Sequence, residues 1–340
     1  MRFDALLLLS FGGPEGHDDV MPFLRNVTRG RGVPDERLHT VAEHYYRLGG
    51  VSPINAQNKA LIAALEADFA AAGLDLPIYW GNRNWTPYAE DTVRRMHDDG
   101  IRRAVVLATS ATSSFSGCRQ YRNDVARARS AVGDDAPELV KLRHYFDHPG
   151  FISANTDHVR SALEMVPSGA RLVFTAHSIP VGMNETSGPD RNGLYLKQHL
   201  ETARLVAEQV RGPGAGFDLV FQSRSGPPQV PWLGPDVNDH LKALAADGVP
   251  GVVVCPTGFV SDHVEVIWDL DTEARDTADR LGLPFARAAT AGTHPDFVAA
   301  IRELVQEQLV DFPPRALGSL GLCGIDCPHG CCPAPERPPA

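Results

Sequence analysis

Two short strings in this sequence gather residue types that can handle a cation and a proton. The first is Phe174-Thr175-Ala176-His177-Ser178-Ile179-Pro180, a histidine at the exit of an apolar run. The second is Cys255-Pro256-Thr257-Gly258-Phe259-Val260-Ser261-Asp262-His263-Val264-Glu265, and it opens a segment in which Glu265, Asp269 and Glu273 recur every fourth residue. On a helix such positions stack into one ridge, with Ile267, Leu270, Ala274, Ala278 and Leu281 on the opposite side. Like charges at that spacing repel mildly. The ridge is therefore either a solvated acidic face or a path for a hydrated cation toward His263 and Glu265. Imidazole and carboxylate together suit a ferrous ion, and an imidazole near neutral pKa is a ready proton acceptor. A third grouping is Cys323, Cys327, Cys331 and Cys332, four cysteines within ten residues.

Regular elements must deliver these groups. Apolar runs at Phe3–Phe11, Ile78–Gly81, Ala104–Ala108 and Leu139–Tyr145 read as buried strands. Helical patterns over Lys59–Ala72, closed by Gly73, and over Ala89–Asp99, ending at Gly100, lie between them. The alternation then starts again. Strands are expected at Arg171–Thr175, Phe217–Gln222, Gly251–Cys255 and Pro284–Ala288, and helices at Leu194–Val210, Val237–Ala246, Val264–Leu281 and Pro295–Leu309. Ser261 or Asp262 is the expected N-cap of the acidic helix. The fold class is α/β, two Rossmann-like domains with parallel sheets flanked by helices. The expected divisions are 1–155, 156–294, a closing helix 295–310 and a Cys-rich tail 311–340. Open sheets of this kind bind ligands at the carboxyl ends of their strands, which is where His177 and the 256–265 string fall.

Composition narrows the function classes. The chain has 340 residues, 43% of them hydrophobic and 22% charged, with a formal charge of −10. At roughly 100–200 residues per domain that suits two cores, and the acidic balance disfavours nucleic acid. No apolar run approaches the roughly 18 residues that span a bilayer, and Ala5–Leu9 is too short, follows Asp4 and has no small-residue cleavage site after it, unlike a secretory signal, so a cytoplasmic protein is expected. A dinucleotide enzyme is disfavoured because Gly12-Gly13-Pro14-Glu15-Gly16 lacks the required glycine spacing and Pro14 removes a donor.

The His177 and His263–Glu265 strings, with Trp268-Asp269-Leu270-Asp271, resemble the ferrochelatase family. So do Ser10-Phe11-Gly12-Gly13-Pro14, Arg29-Gly30-Arg31, Tyr45-Tyr46-Arg47, Gly49-Gly50-Val51-Ser52-Pro53-Ile54, Gln222-Ser223 and Pro231-Trp232-Leu233-Gly234-Pro235-Asp236. The resemblance runs in order from about residue 3 to residue 310 and is nearest to the actinobacterial, coproporphyrin-type branch. It implies a porphyrin cleft between the two domains and insertion of ferrous iron into coproporphyrin III. His177 and Glu265 match the family's essential pair, and His263, Asp269 and Glu273 its acidic relay. Phe11, Arg29, Arg31, Tyr46, Arg47, Ser52 and Tyr121 match porphyrin-lining segments. Phe11 stands where some relatives carry a tyrosine able to approach iron. The resemblance also implies a downstream coprohaem decarboxylase as recipient of product, and the short tail favours a monomer. The alternatives are protoporphyrin as substrate, a cobalt chelatase of the same fold, and a non-catalytic tetrapyrrole or iron–sulfur sensor.

Thiols this dense in a cytosolic tail argue for a metal centre over disulfides. Cluster-bearing ferrochelatases take one ligand from a position resembling Cys118 and three near the C-terminus. Cys118, Cys323, Cys327 and Cys332, with Cys331 as a substitute, are thus expected to hold a [2Fe–2S] cluster, zinc being the runner-up. Cys255, in a strand, is expected to be packing only.

Overall fold

Strand and helix alternate through the computed structural model, which describes residues 3–226, 229–310, 312–324 and 327–335. Parts of the expected tail, 311, 325–326 and 336–340, lie outside the described residues. Strands β1 (Ala5–Ser10), β2 (Ile78–Asn82), β3 (Arg103–Ala108) and β4 (Glu138–Lys141) form a parallel sheet in the order β2-β1-β3-β4. Strands β5 (Arg171–His177), β6 (Asp218–Gln222), β7 (Val252–Cys255) and β8 (Phe285–Arg287) form a second, in the order β6-β5-β7-β8. The connectivity is the same in both, so the second half of the chain repeats the first.

Every residue of β1 is buried, as expected of a strand covered on both faces by helices. In chain order the helices are α1 (Val20–Val27), α2 (Asp35–Arg47), α3 (Ile54–Ala71), α4 (Ala89–Asp98), α5 (Gln120–Val132) and α6 (Pro149–Leu163). They continue with α7 (Val181–Glu185), α8 (Leu194–Arg211), α9 (Val237–Ala246), α10 (Val264–Val266), α11 (Arg275–Leu281) and α12 (Pro295–Leu309). Ala- and Leu-rich α3 is built from strong helix formers and stops at Gly73, whose φ of +67° suits glycine. Helix α6 serves two cores. Phe151 and Ala154 pack with the first sheet, Ile152 and Val159 with the second. Helix α12 adds Phe297, Ile301 and Leu304 to the first core, so the chain's end is folded back onto its beginning.

The expected strand Leu139–Tyr145 is cut short. β4 ends at Lys141 because the next residues turn to other partners: the His144 N–H donates to the Cys323 carbonyl at 2.8 Å. Arg143 binds both carboxylate oxygens of Glu307 on α12, at 2.8 Å each, and the Arg315 carbonyl at 2.8 Å. Both side chains of that pair are nearly inaccessible. Removing one partner of a buried pair strands the other charge and costs about 3–5 kcal/mol. Arg143→Met is expected to lose stability of that order in urea unfolding, and Arg143→Met/Glu307→Leu to recover most of it.

Candidate active site

In each sheet the chain leaves the first strand in one direction to form the second and in the other to form the third. That reversal opens a crevice at the carboxyl end between β1 and β3, and between β5 and β7. His177 is the last residue of β5, paired in register with Gln222, two residues beyond the expected strand end at Thr175. The turn after β7 runs against it. A Cβ on Gly258 would lie 2.7 Å from the Ala176 Cα, so only glycine lets the backbone pass, and the Gly258 N–H donates to the Thr175 carbonyl at 3.0 Å. Across the molecule, Gly12 follows β1 with φ +80°, and a Cβ there would meet the Asn82 side chain at 2.8 Å. Between the two crevices lies a cleft of about 2700 Å³.

His177 Nδ1 lies 2.5 Å from the Ser178 carbonyl. A carbonyl only accepts, so Nδ1 carries a proton, and Nε2 faces the Glu265 carboxylate 3.7 Å away. The Tyr195 hydroxyl fixes the His177 backbone through its carbonyl at 2.7 Å. Burial pulls the His177 pKa down, but the adjacent Glu265 carboxylate more than reverses this and the net shift is upward. Burial likewise raises Glu265, and His177 and His263 outweigh it, so its carboxyl stays ionised lower than usual. His263 is pulled down by burial. Asp269 is pushed up to about 7, first by burial and then by the Glu265 charge. It accepts hydrogen bonds from Ser223 Oγ and, at 3.2 Å, from Gln222 Nε2. Glu273 accepts from Trp268 Nε1 at 2.9 Å.

The sign of the His177 shift yields a test. Glu265→Gln removes the largest raising interaction and leaves burial opposed only by the Ser178 carbonyl and Asp269, so the imidazole is expected to titrate lower than in the wild-type chain. The ring resonances followed by NMR against pH check this.

The acidic ridge is not on a regular α-helix. Residues Ile267–Ala274 form π turns, with i→i+5 hydrogen bonding, between α10 and α11. The N-cap is His263, not Ser261 or Asp262, because the Asp262 carboxylate is taken by Arg287 at 3.0 Å. Leu270, Ala274 and Ala278 are buried as expected, whereas Leu281 is 41% exposed where the ridge's apolar side ends.

Of the porphyrin candidates, Phe11, Arg29, Arg31, Ser52 and Tyr121 line the cleft, as do His177, His263, Glu265, Asp269 and Glu273. Tyr46 stacks on His17 at 4.1 Å and Arg47 lies 5.6 Å over the Trp268 ring, and neither is among the residues lining the cleft. Their neighbours on α2 line it instead, His44 stacked on Trp268 at 4.0 Å, and Tyr45. Helix α2 escaped the sequence reading although Leu38, Val41, Ala42 and Tyr45 follow helical spacing. Arg83 was also missed. Its Nε binds Asp124 at 2.5 Å, its guanidinium lies 4.3 Å over Tyr121, and its buried Nη2 has no hydrogen-bond partner among the described residues.

Cys118 sits in a second π turn, Phe115–Arg119, and its sulfur is hydrogen-bonded to Cys327. Cys331 and Cys332 sulfurs are 3.6 Å apart, and Cys323 Sγ is 3.2 Å from Ser113 Oγ. The Cys327 contact, with His144 and Lys141 alongside, holds Cys118 toward thiolate. Cys327 is driven up by the same bond, and Cys332 is raised to about 12 by burial. Among the described residues no three His, Cys, Asp or Glu side chains converge tightly enough to hold a metal ion as they stand. Cys255 is buried in β7, 3.8 Å from Asn155 Oδ1.

Comparison with known proteins settles the lineage. The family model described as Ferrochelatase matches residues 3–309. The chain belongs to the ferrochelatase family. The Nocardia farcinica protein named coproporphyrin III ferrochelatase is 56% identical, covering 100% of this chain and 99% of its own. A ferrochelatase of the same name from Streptomyces coelicolor is 55% identical over 99% of this chain and 95% of its own. One from Mycolicibacterium smegmatis is 57% identical over 93% and 92%. Among solved structures, SirB from Bacillus subtilis with Fe3+ aligns over 92% of this chain and 97% of its own, with a TM-score of 0.56 at 13% identity, a likeness of fold.

Proposed function

We infer that this ferrochelatase inserts ferrous iron into coproporphyrin III to give coprohaem. The observation that carries it is the opposition of His177 Nε2 and Glu265 at 3.7 Å inside a cleft large enough for a macrocycle, in a chain 53–57% identical to proteins of that name. Insertion removes two pyrrole protons, strips water from iron and requires the ring to pucker. His177 Nε2 accepts a pyrrole proton, and Glu265 stabilises the imidazolium that results. Glu273, Asp269 and Glu265 hand the cation inward. Asp269, with a pKa near 7, gives up its proton as the positive ion arrives. Contacts at the ring edge supply the distortion. Exposed Arg29 and Arg31 and the spare Arg83 donor suit propionates held at a wet rim. No redox step is needed: iron enters and leaves the reaction as Fe(II), with two protons released. In weakly buffered anaerobic solution, two protons are expected per iron inserted, and none when porphyrin binds without insertion.

We further propose that Cys118, Cys323 and Cys327, with Cys332 or Cys331, hold a [2Fe–2S] cluster. The sulfurs fit such a group chemically: one is already drawn to thiolate while its neighbours are kept protonated, a conflict that a cationic centre relieves. When bound, the cluster supplies a cross-link between the tail and the first half of the chain. The enzyme is proposed to act as a cytoplasmic monomer and to pass coprohaem to a decarboxylase. Among the described residues no helix is long and apolar enough to cross a membrane.

A further inference from the structure

The residues that follow the last cysteines line the porphyrin cleft. Pro333, Ala334 and Pro335 face the same cavity as His177 and Arg83. Two contacts take them there. Arg119 donates from Nε and Nη2 to the Cys331 carbonyl, at 2.9 and 2.7 Å. The Gly188 N–H donates to Cys332 Sγ at 3.2 Å. Cys332 itself has φ +50°, a conformation that costs energy for any residue but glycine and persists only where its surroundings enforce it. Prolines at 333 and 335 fix the next backbone angles, so the segment has little freedom left to lose when a ligand meets it.

Arg119 closes the π turn Phe115–Arg119, and that turn has two duties. Phe115, Ser116 and Gly117 line the cleft, while Cys118 meets Cys327 of the tail. Thiol site and cleft wall are therefore consecutive residues of one short element. We propose that Pro333–Pro335 is a rim that contacts the bound porphyrin, that Arg119 is the residue positioning it, and that the state of the tail thiols sets porphyrin affinity through this rim. The proposal rests on porphyrin being the ligand of the cleft. It does not depend on whether the thiols hold a cluster or zinc.

The test uses the full chain as purified, with bound iron and sulfide measured for every preparation so that loss of a metal centre is separated from loss of the rim. Coproporphyrin III affinity is read by fluorescence quenching, with KM and kcat alongside. A charged hydrogen-bond clamp is a large contribution, so Arg119→Ala is expected to raise Kd and KM roughly tenfold, to leave kcat within about twofold, and to speed alkylation of the tail thiols. Arg119→Lys, which keeps one donor, is expected to fall between. Pro333→Gly/Pro335→Gly leaves both anchors intact. It is expected to weaken binding with no change in thiol reactivity. An unchanged Kd in the proline variant overturns the rim, and faster alkylation of Arg119→Ala with unchanged Kd overturns the coupling. A wild-type chain that binds no coproporphyrin overturns the ligand assignment before any variant is compared.

Discussion

His177→Ala is expected to lower iron insertion about a thousandfold while coproporphyrin still binds within about threefold of wild type. A positioned base contributes about 10²–10⁴ in rate, equivalent to roughly 3–5 kcal/mol of barrier. His177 lines the cleft with Nε2 against Glu265 and its other nitrogen committed to the Ser178 carbonyl. The binding cations stand elsewhere: Arg29 and Arg31 at the exposed rim, Arg83 on Asp124 across the cleft. Chemistry and binding are thus on different residues, and the variant separates them. The defect belongs in kcat, with KM little changed. Single-turnover absorbance with ferrous iron, and fluorescence quenching without it, measure the two quantities. Turnover near wild type would remove His177 from the mechanism.

Cys118→Ser is expected to abolish the visible absorbance and the bound iron and sulfide of the purified protein. Cys118 is the proposed ligand that does not come from the tail, and it is the sulfur already held toward thiolate. A hydroxyl at that site is far harder to ionise and is a poor ligand for a soft centre. Without Cys118 the proposed cluster would no longer tie the tail to the Phe115–Arg119 turn. Metal binding is folding energy for the segment that supplies the ligands, so faster proteolysis in the tail should accompany the loss of colour. Colourless wild-type protein carrying one equivalent of zinc would replace the cluster with a structural zinc site.

The strands were legible because parallel strands buried on both faces read as unbroken apolar runs. Ala5–Ser10 and Val252–Cys255 are of that kind, and helices Val237–Ala246 and Pro295–Leu309 keep the limits their periodicity implies. The site could be found because its groups lie at strand exits and in one acidic repeat. What stayed hidden depends on long-range contacts. The turn of Arg143 and His144 away from β4 is fixed by Glu307 and Cys323, more than a hundred residues later in the chain. Helix α2 carries so many charged and aromatic residues that its apolar stripe is narrow, with Leu38 and Ala42 its buried members. Which of its side chains face the cleft follows from helical phase: His44 and Tyr45 do, Tyr46 and Arg47 do not. The π turns around Asp269 leave no pattern that separates them from an α-helix in the sequence. Arg83 is announced by no motif, and its spare donor is visible only once Asp124 and Tyr121 surround it.

The most direct test of the central claim is anaerobic turnover of the purified chain with ferrous iron, offered coproporphyrin III or protoporphyrin IX in parallel and followed in the visible spectrum. Rapid collapse of the free-porphyrin bands with coproporphyrin III, and slow or no change with protoporphyrin IX, is the predicted result. Preference for protoporphyrin IX, or binding of either ring without insertion of iron, would contradict it.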